Sequence, residues 1–179
     1  EKVTALQKPA AGKVTETAGA AGYVVSHHQN DAFIAINRLM KAGEEAYFVA
    51  DRTWQSADGT GVIFIPAKSS TSAVLTKAAA ELGLTFAAVA QRPTSAMHKL
   101  TKPRVGLWDI YGGSMPSGWT RWLLEQYEFE FEVVYPATLD AGNLKAKYDV
   151  LIFPDGGIPR TPAVVVALAV LAAEVSEEE

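Results

Sequence analysis

Apolar residues along the chain fall into short blocks that alternate between two periods. "GYVVS" (22–26) is an apolar run of strand length, and behind it Phe33, Ile34, Ile36, Leu39 and Met40 recur at helical spacing. Asn30 or Asp31 stands where a helix cap is needed and Gly43 where a stop is needed, which predicts a helix to about residue 42. "EAYFVA" (45–50) and "GVIFIPA" (61–67) read as strands, "STSAVLTKAAAELG" (70–83) as a helix closed by Gly83, and "LTFAAVA" (84–90) as a further strand. A polar stretch with Pro93 and Pro103 follows and marks a boundary.

The pattern then restarts. "RVGLWDI" (104–110) is a strand, a helix is expected over about 117–127, "FEFEVVYP" (129–136) is the next strand, a short helix lies near 139–147, and "YDVLIFPDGG" (148–157) closes the series. Strands alternating with helices at these intervals predict an α/β fold of right-handed βαβ units on a parallel sheet. The organisation expected is a lead-in or linker over 1–21, a first α/β unit over 22–92, a second over 103–160 and an atypical tail over 161–179. That tail carries an eleven-residue apolar run, Ala163–Ala173, and an acidic end. An open α/β sheet normally continues past its third strand, so the chain reads as a domain truncated or altered there.

Composition narrows the classes of function. With 49% hydrophobic and 20% charged residues the chain has the makings of an ordinary core. Its net charge is −4, and no basic stripe appears, which argues against a nucleic-acid partner. The absence of cysteine excludes disulfides, thiolate metal sites and a cysteine nucleophile. The longest apolar run is too short to span a bilayer.

The candidate chemistry centres on "YGGSMPSGWTRW" (111–122). Gly113 to Thr120 matches the phosphate-loop pattern G-x-x-x-x-G-K-[ST] except that Trp119 replaces the lysine, and Pro116 removes a backbone donor. The plainer reading is a strand-to-helix turn in which Gly112, Gly113 or Gly118 takes positive φ and Ser117 caps the helix. The serines also suggest a nucleophile elbow, but Pro116 occupies the second glycine position of G-x-S-x-G, and no spacing selects His27, His28 or His98 as its base. His27 and His28, near Asp31, are weak metal candidates: adjacent residues of a regular element point apart, and no third ligand follows at a recognisable spacing. Asp109 and Asp155 end two strands of the second half, where carboxylates either line a crevice or cap loop N–H groups. Trp108, Trp119 and Trp122 are expected in the core or between helix and sheet.

Residues 102–156 resemble the region downstream of the catalytic domain in large bacterial carboxypeptidase A-like zinc metallopeptidases, a region similar to a class I glutamine amidotransferase-like, flavodoxin-like α/β domain. "GWTRWLLEQYEF", "LDAGNLKAKYDVLIFPDG" and, upstream, "NDAFIAINRLMKAG" carry the resemblance, which extends over about 22–160. It implies a secreted or periplasmic protein whose zinc sits in the catalytic domain. The third residues after His27, His28 and His98 are Asn30, Asp31 and Thr101, so no H-x-x-E zinc pair lies here.

The expectation is a non-catalytic accessory domain, with a packing, assembly or substrate-positioning role. It would need no cofactor of its own, and its partner would be the peptidase domain or another subunit. The alternative is a small-ligand or anion-binding module whose strand-end crevice is lined by Asp109, Gly112, Gly113, Ser114, Ser117 and Asp155. A hydrolase built on Ser114 or Ser117 is the third reading.

Overall fold

The structure, a computed structural model, describes residues 10–50 and 61–158. The expected tail over 161–179 lies outside them. The described chain forms two compact units, one of residues up to 102 together with 125–129, the other of residues 103–124 and those from 130 onward.

The first unit contains β1 (Lys13–Val14), β2 (Gly22–Ser26), α1 (Asp31–Lys41), β3 (Tyr47–Val49), β4 (Val62–Pro66), α2 (Thr71–Leu82), β5 (Thr85–Val89) and β6 (Met97–Lys99). Most elements fall where periodicity placed them. Gly43 and Gly83 close the two helices at φ +77° and +70°, a region glycine enters without a Cβ penalty. β1, within the expected lead-in, and β6, within the polar boundary stretch, were not anticipated.

Strand pairing departs from the expected parallel sheet. The order is β1-β5-β2-β4-β3-β6, and every pair is antiparallel except β1 with β5. The connection β2–α1–β3 joins two strands separated by β4, and β4–α2–β5 joins two separated by β2. These are two interleaved split β-α-β units, the ferredoxin-like arrangement, with an added strand at each edge. The order β-α-β-β-α-β, with two successive strands read at 45–50 and 61–67, already differs from the strict alternation of parallel βαβ units.

Burial follows from this layering. Ile63 and Ile65 of β4 join Val25, Ile36, Leu39, Leu75 and Phe86 in a core beneath the two helices. Val62 and Phe64 alternate onto the opposite face with Val49, where the Arg92 guanidinium lies 5.2 Å from the Tyr47 ring centroid. Residues 125–129 are tied to α1: Asn37 donates to the Tyr127 carbonyl (2.8 Å), and Arg38 bridges Glu81 and Glu128. Hydrogen bonding to Arg38 holds the Glu128 carboxyl below its ordinary range, and Glu128 itself sits at φ +56°.

The second unit contains β7 (Val105–Trp108), α3 (Met115–Gln126, its last two residues counted with the first unit), β8 (Phe131–Val134), α4 (Pro136–Asp140), α5 (Leu144–Lys147) and β9 (Val150–Ile152). Its three strands are parallel in the order β8-β7-β9. The single short helix expected near 139–147 is two, parted by Gly142 at φ +69° and Asn143 at φ +53°. The chain as a whole is therefore a mixed α/β structure, with the expected parallel character confined to this second sheet and one edge pair of the first.

Arg104, just before β7, forks onto Asp149, just before β9, with Nη2–Oδ1 at 2.7 Å and Nε–Oδ2 at 3.0 Å, and its backbone N–H adds a third bond at 2.8 Å. The Arg104 side chain, followed by that backbone bond, lowers the Asp149 pKa from 3.8 to about 2. Because the folded value lies below the unfolded one, the pair's contribution is complete above the unfolded value and disappears as pH falls from about 4 to about 2. In Arg104→Ala the carboxyl-carbon NMR titration of Asp149 is expected to return towards 3.8, with a shallower loss of stability between those pH values.

Candidate functional site

β7 is the central strand of the second unit. The chain leaves its carboxyl end for β8 on one side and later crosses to β9 on the other, which makes the carboxyl ends of β7 and β9 the topological switch point of this sheet. Asp109 follows β7, and Asp155 lies three residues beyond β9.

The glycine-rich loop is fixed by its own chemistry. Gly112 and Gly113 stand at φ +91° and +81°, and the Gly113 N–H donates to the Ile110 carbonyl (2.9 Å), closing a tight turn. Gly118 is an ordinary helical residue. The cap of α3 is Ser114, not Ser117: Ser114 Oγ accepts the Ser117 N–H at 3.3 Å, the N-cap to N3 bond. Ser117 is buried, and its Oγ donates to the Trp108 carbonyl at 2.8 Å, fastening the first turn of α3 to the end of β7. Pro116 occupies the second helical position, where an N–H has no partner within the helix. Of the first three helical residues, one lacks an N–H and one has it engaged, so the phosphate cradle suggested by the sequence is largely used up.

Asp109 is buried. Its N–H donates to the Val134 carbonyl (3.0 Å), and its Oδ1 accepts the Ile110 N–H (2.8 Å). Asp155 is exposed, in a turn with Gly156 at φ +85°. That turn rests on Trp108: a Cβ at Gly157 would lie 3.0 Å from the indole, so glycine is required for the close approach. Trp108 also meets Phe153 with ring centroids 6.5 Å apart. Tyr111 stacks on Tyr135, centroids 4.8 Å apart and planes within 8°. The structure thus places Asp109, Gly112, Gly113, Ser114 and Ser117 in one continuous strand–loop–helix junction, and it adds two tyrosines that the motif-based reading left out.

α3 corrects another expectation. Ser117, Thr120 and Leu124 face inward, whereas Met115, Trp119, Trp122 and Leu123 lie on the opposite face and are 78%, 66%, 51% and 49% exposed. Trp119 and Trp122 meet edge to face at 6.0 Å, outside the core. Their spacing is that of a helical stripe, legible in the sequence, but the face that turns inward is the opposite one, anchored by the Ser117 hydroxyl on the Trp108 carbonyl.

His27 and His28 follow β2 in the first unit. Contrary to the expectation for a regular strand, their rings stack, 5.4 Å apart and 15° from parallel, because they lie in the bend beyond it. His27 Nδ1 is 2.9 Å from the Gly61 carbonyl oxygen. No group of three or more His, Asp or Glu side chains suited to a metal ion occurs among the described residues, and no described helix is long and apolar enough to cross a membrane.

The chain matches no protein-family model, no curated protein and no solved structure.

Proposed function

We propose that the chain is a non-catalytic accessory region of a zinc carboxypeptidase-like protein. In this reading the second unit is a flavodoxin-like, class I glutamine amidotransferase-like element, and the region packs beside the peptidase domain in assembly or substrate positioning. The observation that carries it is the exposed apolar face of α3. Met115, Trp119, Trp122 and Leu123 form an exposed apolar stripe opposite the face that carries Ser117, Thr120 and Leu124, and tryptophan and methionine are side chains enriched in protein interfaces. The engagement of Ser117 and Ser114 in holding the loop supports a structural junction over a hydrolase. The zinc and the secreted or periplasmic location come with the resemblance.

Two measurements test this reading. The isolated chain is expected to show no carboxypeptidase or glutaminase turnover above a metal-stripped control. It is also expected to associate with a carboxypeptidase A-like catalytic domain in sedimentation, an association lost in Trp119→Glu/Trp122→Glu. Turnover, or association untouched by the double substitution, overturns the reading. A second reading, a small-ligand module at the carboxyl strand ends, is favoured by the buried Asp109 carboxylate there.

A further inference from the structure

We propose that the outer edge of β1 is a docking site for an extended peptide segment, which adds to the sheet as an antiparallel strand and sets an aliphatic side chain against α2. The inference goes beyond the accessory reading: it concerns the first unit alone and does not depend on α3.

β1 is an edge strand, paired with β5 on one side only. The Lys13 and Thr15 N–H groups both donate inward, to the Leu84 and Phe86 carbonyls at 3.0 and 2.9 Å. The residue between them faces the other way, so the Val14 N–H and carbonyl point outward. Neither has a hydrogen-bond partner among the described residues. A donor and an acceptor on one residue exchange both bonds with a single residue of an added strand only in the antiparallel sense. The edge is held in place. The Gly12 N–H donates to the Ala79 carbonyl at 3.1 Å. A Cβ on Gly12 would stand 2.6 Å from that oxygen and 2.0 Å from the Leu84 carbonyl oxygen, so only glycine lets β1 lie this close to α2.

A groove of about 300 Å³ runs beside this edge, between β1 and the side of α2 that carries Ser72, Thr76, Ala79 and Ala80. The Val14 side chain turns towards the helices and packs on the core beneath them. A peptide residue directly opposite Val14 projects to the same side, into the groove, whose small walls leave room for a side chain the size of valine or isoleucine. Charges flank that position. Lys13 and Glu16 are exposed, and neither forms an ion pair among the described residues. An acidic residue complements Lys13 and a basic one complements Glu16, so an antiparallel partner reads basic, any, aliphatic, acidic from its N-terminus. At the opposite edge of the sheet, Lys99 of β6 is already paired with Glu45. β1 offers one exchanged pair of backbone bonds, which leaves the groove residue and the two charges to decide which peptides bind.

The test is an NMR titration of the full chain with the peptide acetyl-TKTVET-amide, whose lysine, valine and glutamate meet Glu16, Val14 and Lys13. Saturable shifts of the Val14 and Thr76 amides are expected, with slowed exchange of the Val14 N–H. Methylating the backbone nitrogen of the peptide valine removes its bond to the Val14 carbonyl and is expected to weaken binding about tenfold or more. The charge-swapped peptide acetyl-TETVKT-amide is expected to bind about threefold more weakly. Lys13→Glu/Glu16→Lys changes two exposed side chains, and it is expected to invert that preference. No saturable shift, binding indifferent to the N-methyl group, or a preference unchanged in Lys13→Glu/Glu16→Lys overturns the proposal. So does Val14 exchange that slows with chain concentration in the absence of peptide, since a second copy would then be the occupant. The Trp119→Glu/Trp122→Glu variant is expected to bind the peptide as the unaltered chain does. Failure of the peptide titration with α3 docking intact therefore removes this inference and leaves the accessory reading standing.

Discussion

Replacement of Glu44 by alanine is expected to destabilise the first unit by about 3 kcal/mol, which lowers its melting temperature by on the order of 15 °C. Glu44 follows the Gly43 stop of α1, and its side chain is almost wholly enclosed, at 3% exposure. Its carboxylate accepts from the hydroxyls of Ser70 and Thr71, the latter at 3.0 Å, and Lys68 Nζ lies 3.8 Å away. Ser70 and Thr71 begin α2, and neither Ser70 nor any other side chain caps the helix from within. The acid supplied from the end of α1 therefore sits beside the first turn of α2, where negative charge is favoured. Removing it leaves the fully buried Thr71 hydroxyl, which still accepts the Lys68 N–H at 3.1 Å, with only the Pro66 carbonyl at 3.3 Å to donate to, strands the Lys68 ammonium and opens a void. Glu44→Gln preserves the shape and the acceptor but not the charge, so it is expected to cost about 1 kcal/mol. Urea denaturation of both variants, followed through amides of β4, checks the order. A Glu44→Ala loss no larger than that of Glu44→Gln would show that the carboxylate is not what anchors α2.

The extent to which this architecture was legible depends on the range of the signal. Local signals were clear. The helical spacing from Phe33 to Met40, the stops at Gly43 and Gly83, and the apolar block at 62–66 are set by neighbours a few residues away. The continuous apolar run of β4 is buried on both faces, but burial does not specify direction. Whether β4 enters between β2 and β3 or beyond them is decided by pairing across long stretches of sequence, and no local residue records it. β1 and β6 escaped notice because two or three residues are too short for a period. The same limit applied at the candidate site. Glycines at positive φ were foreseeable from "YGGS". The exchange of roles between Ser114 and Ser117 depends on the Trp108 carbonyl, whose position follows from how β7 meets α3. Trp119 and Trp122 were assigned to the interior by their chemistry, and only the inward face of Ser117, Thr120 and Leu124 shows that they point away from the sheet.

The second large effect concerns the sheet that carries the candidate site. Gly106→Val is expected to destabilise the second unit by about 3 kcal/mol. Gly106 lies in the middle of the central strand, opposite Glu132 on β8 and Leu151 on β9. A glycine there is entropically unfavourable and is retained because of what covers it. An added Cβ would stand 2.7 Å from Leu151 Cδ2, 2.9 Å from Val134 Cγ2 and 3.2 Å from the Tyr148 ring. Leu151 has a movable end, but Val134 is fully buried and Tyr148 largely so, leaving little room to yield. Alanine forces the first of these movements and recovers part of the backbone entropy, so Gly106→Ala is expected to cost about 1 kcal/mol. The branched methyl groups of valine force the remainder. Hydrogen exchange distinguishes this from a general loss of stability. Amides of β7 and β9 are expected to lose protection in Gly106→Val, while those of β4 and β5, in a unit with its own core beneath α1 and α2, keep theirs. The Glu44→Ala variant is expected to show the reverse. If either substitution exposed both sets of amides equally, the two compact units would be a single cooperative one, and the junction at the end of β7 would share its stability with the split β-α-β sheet.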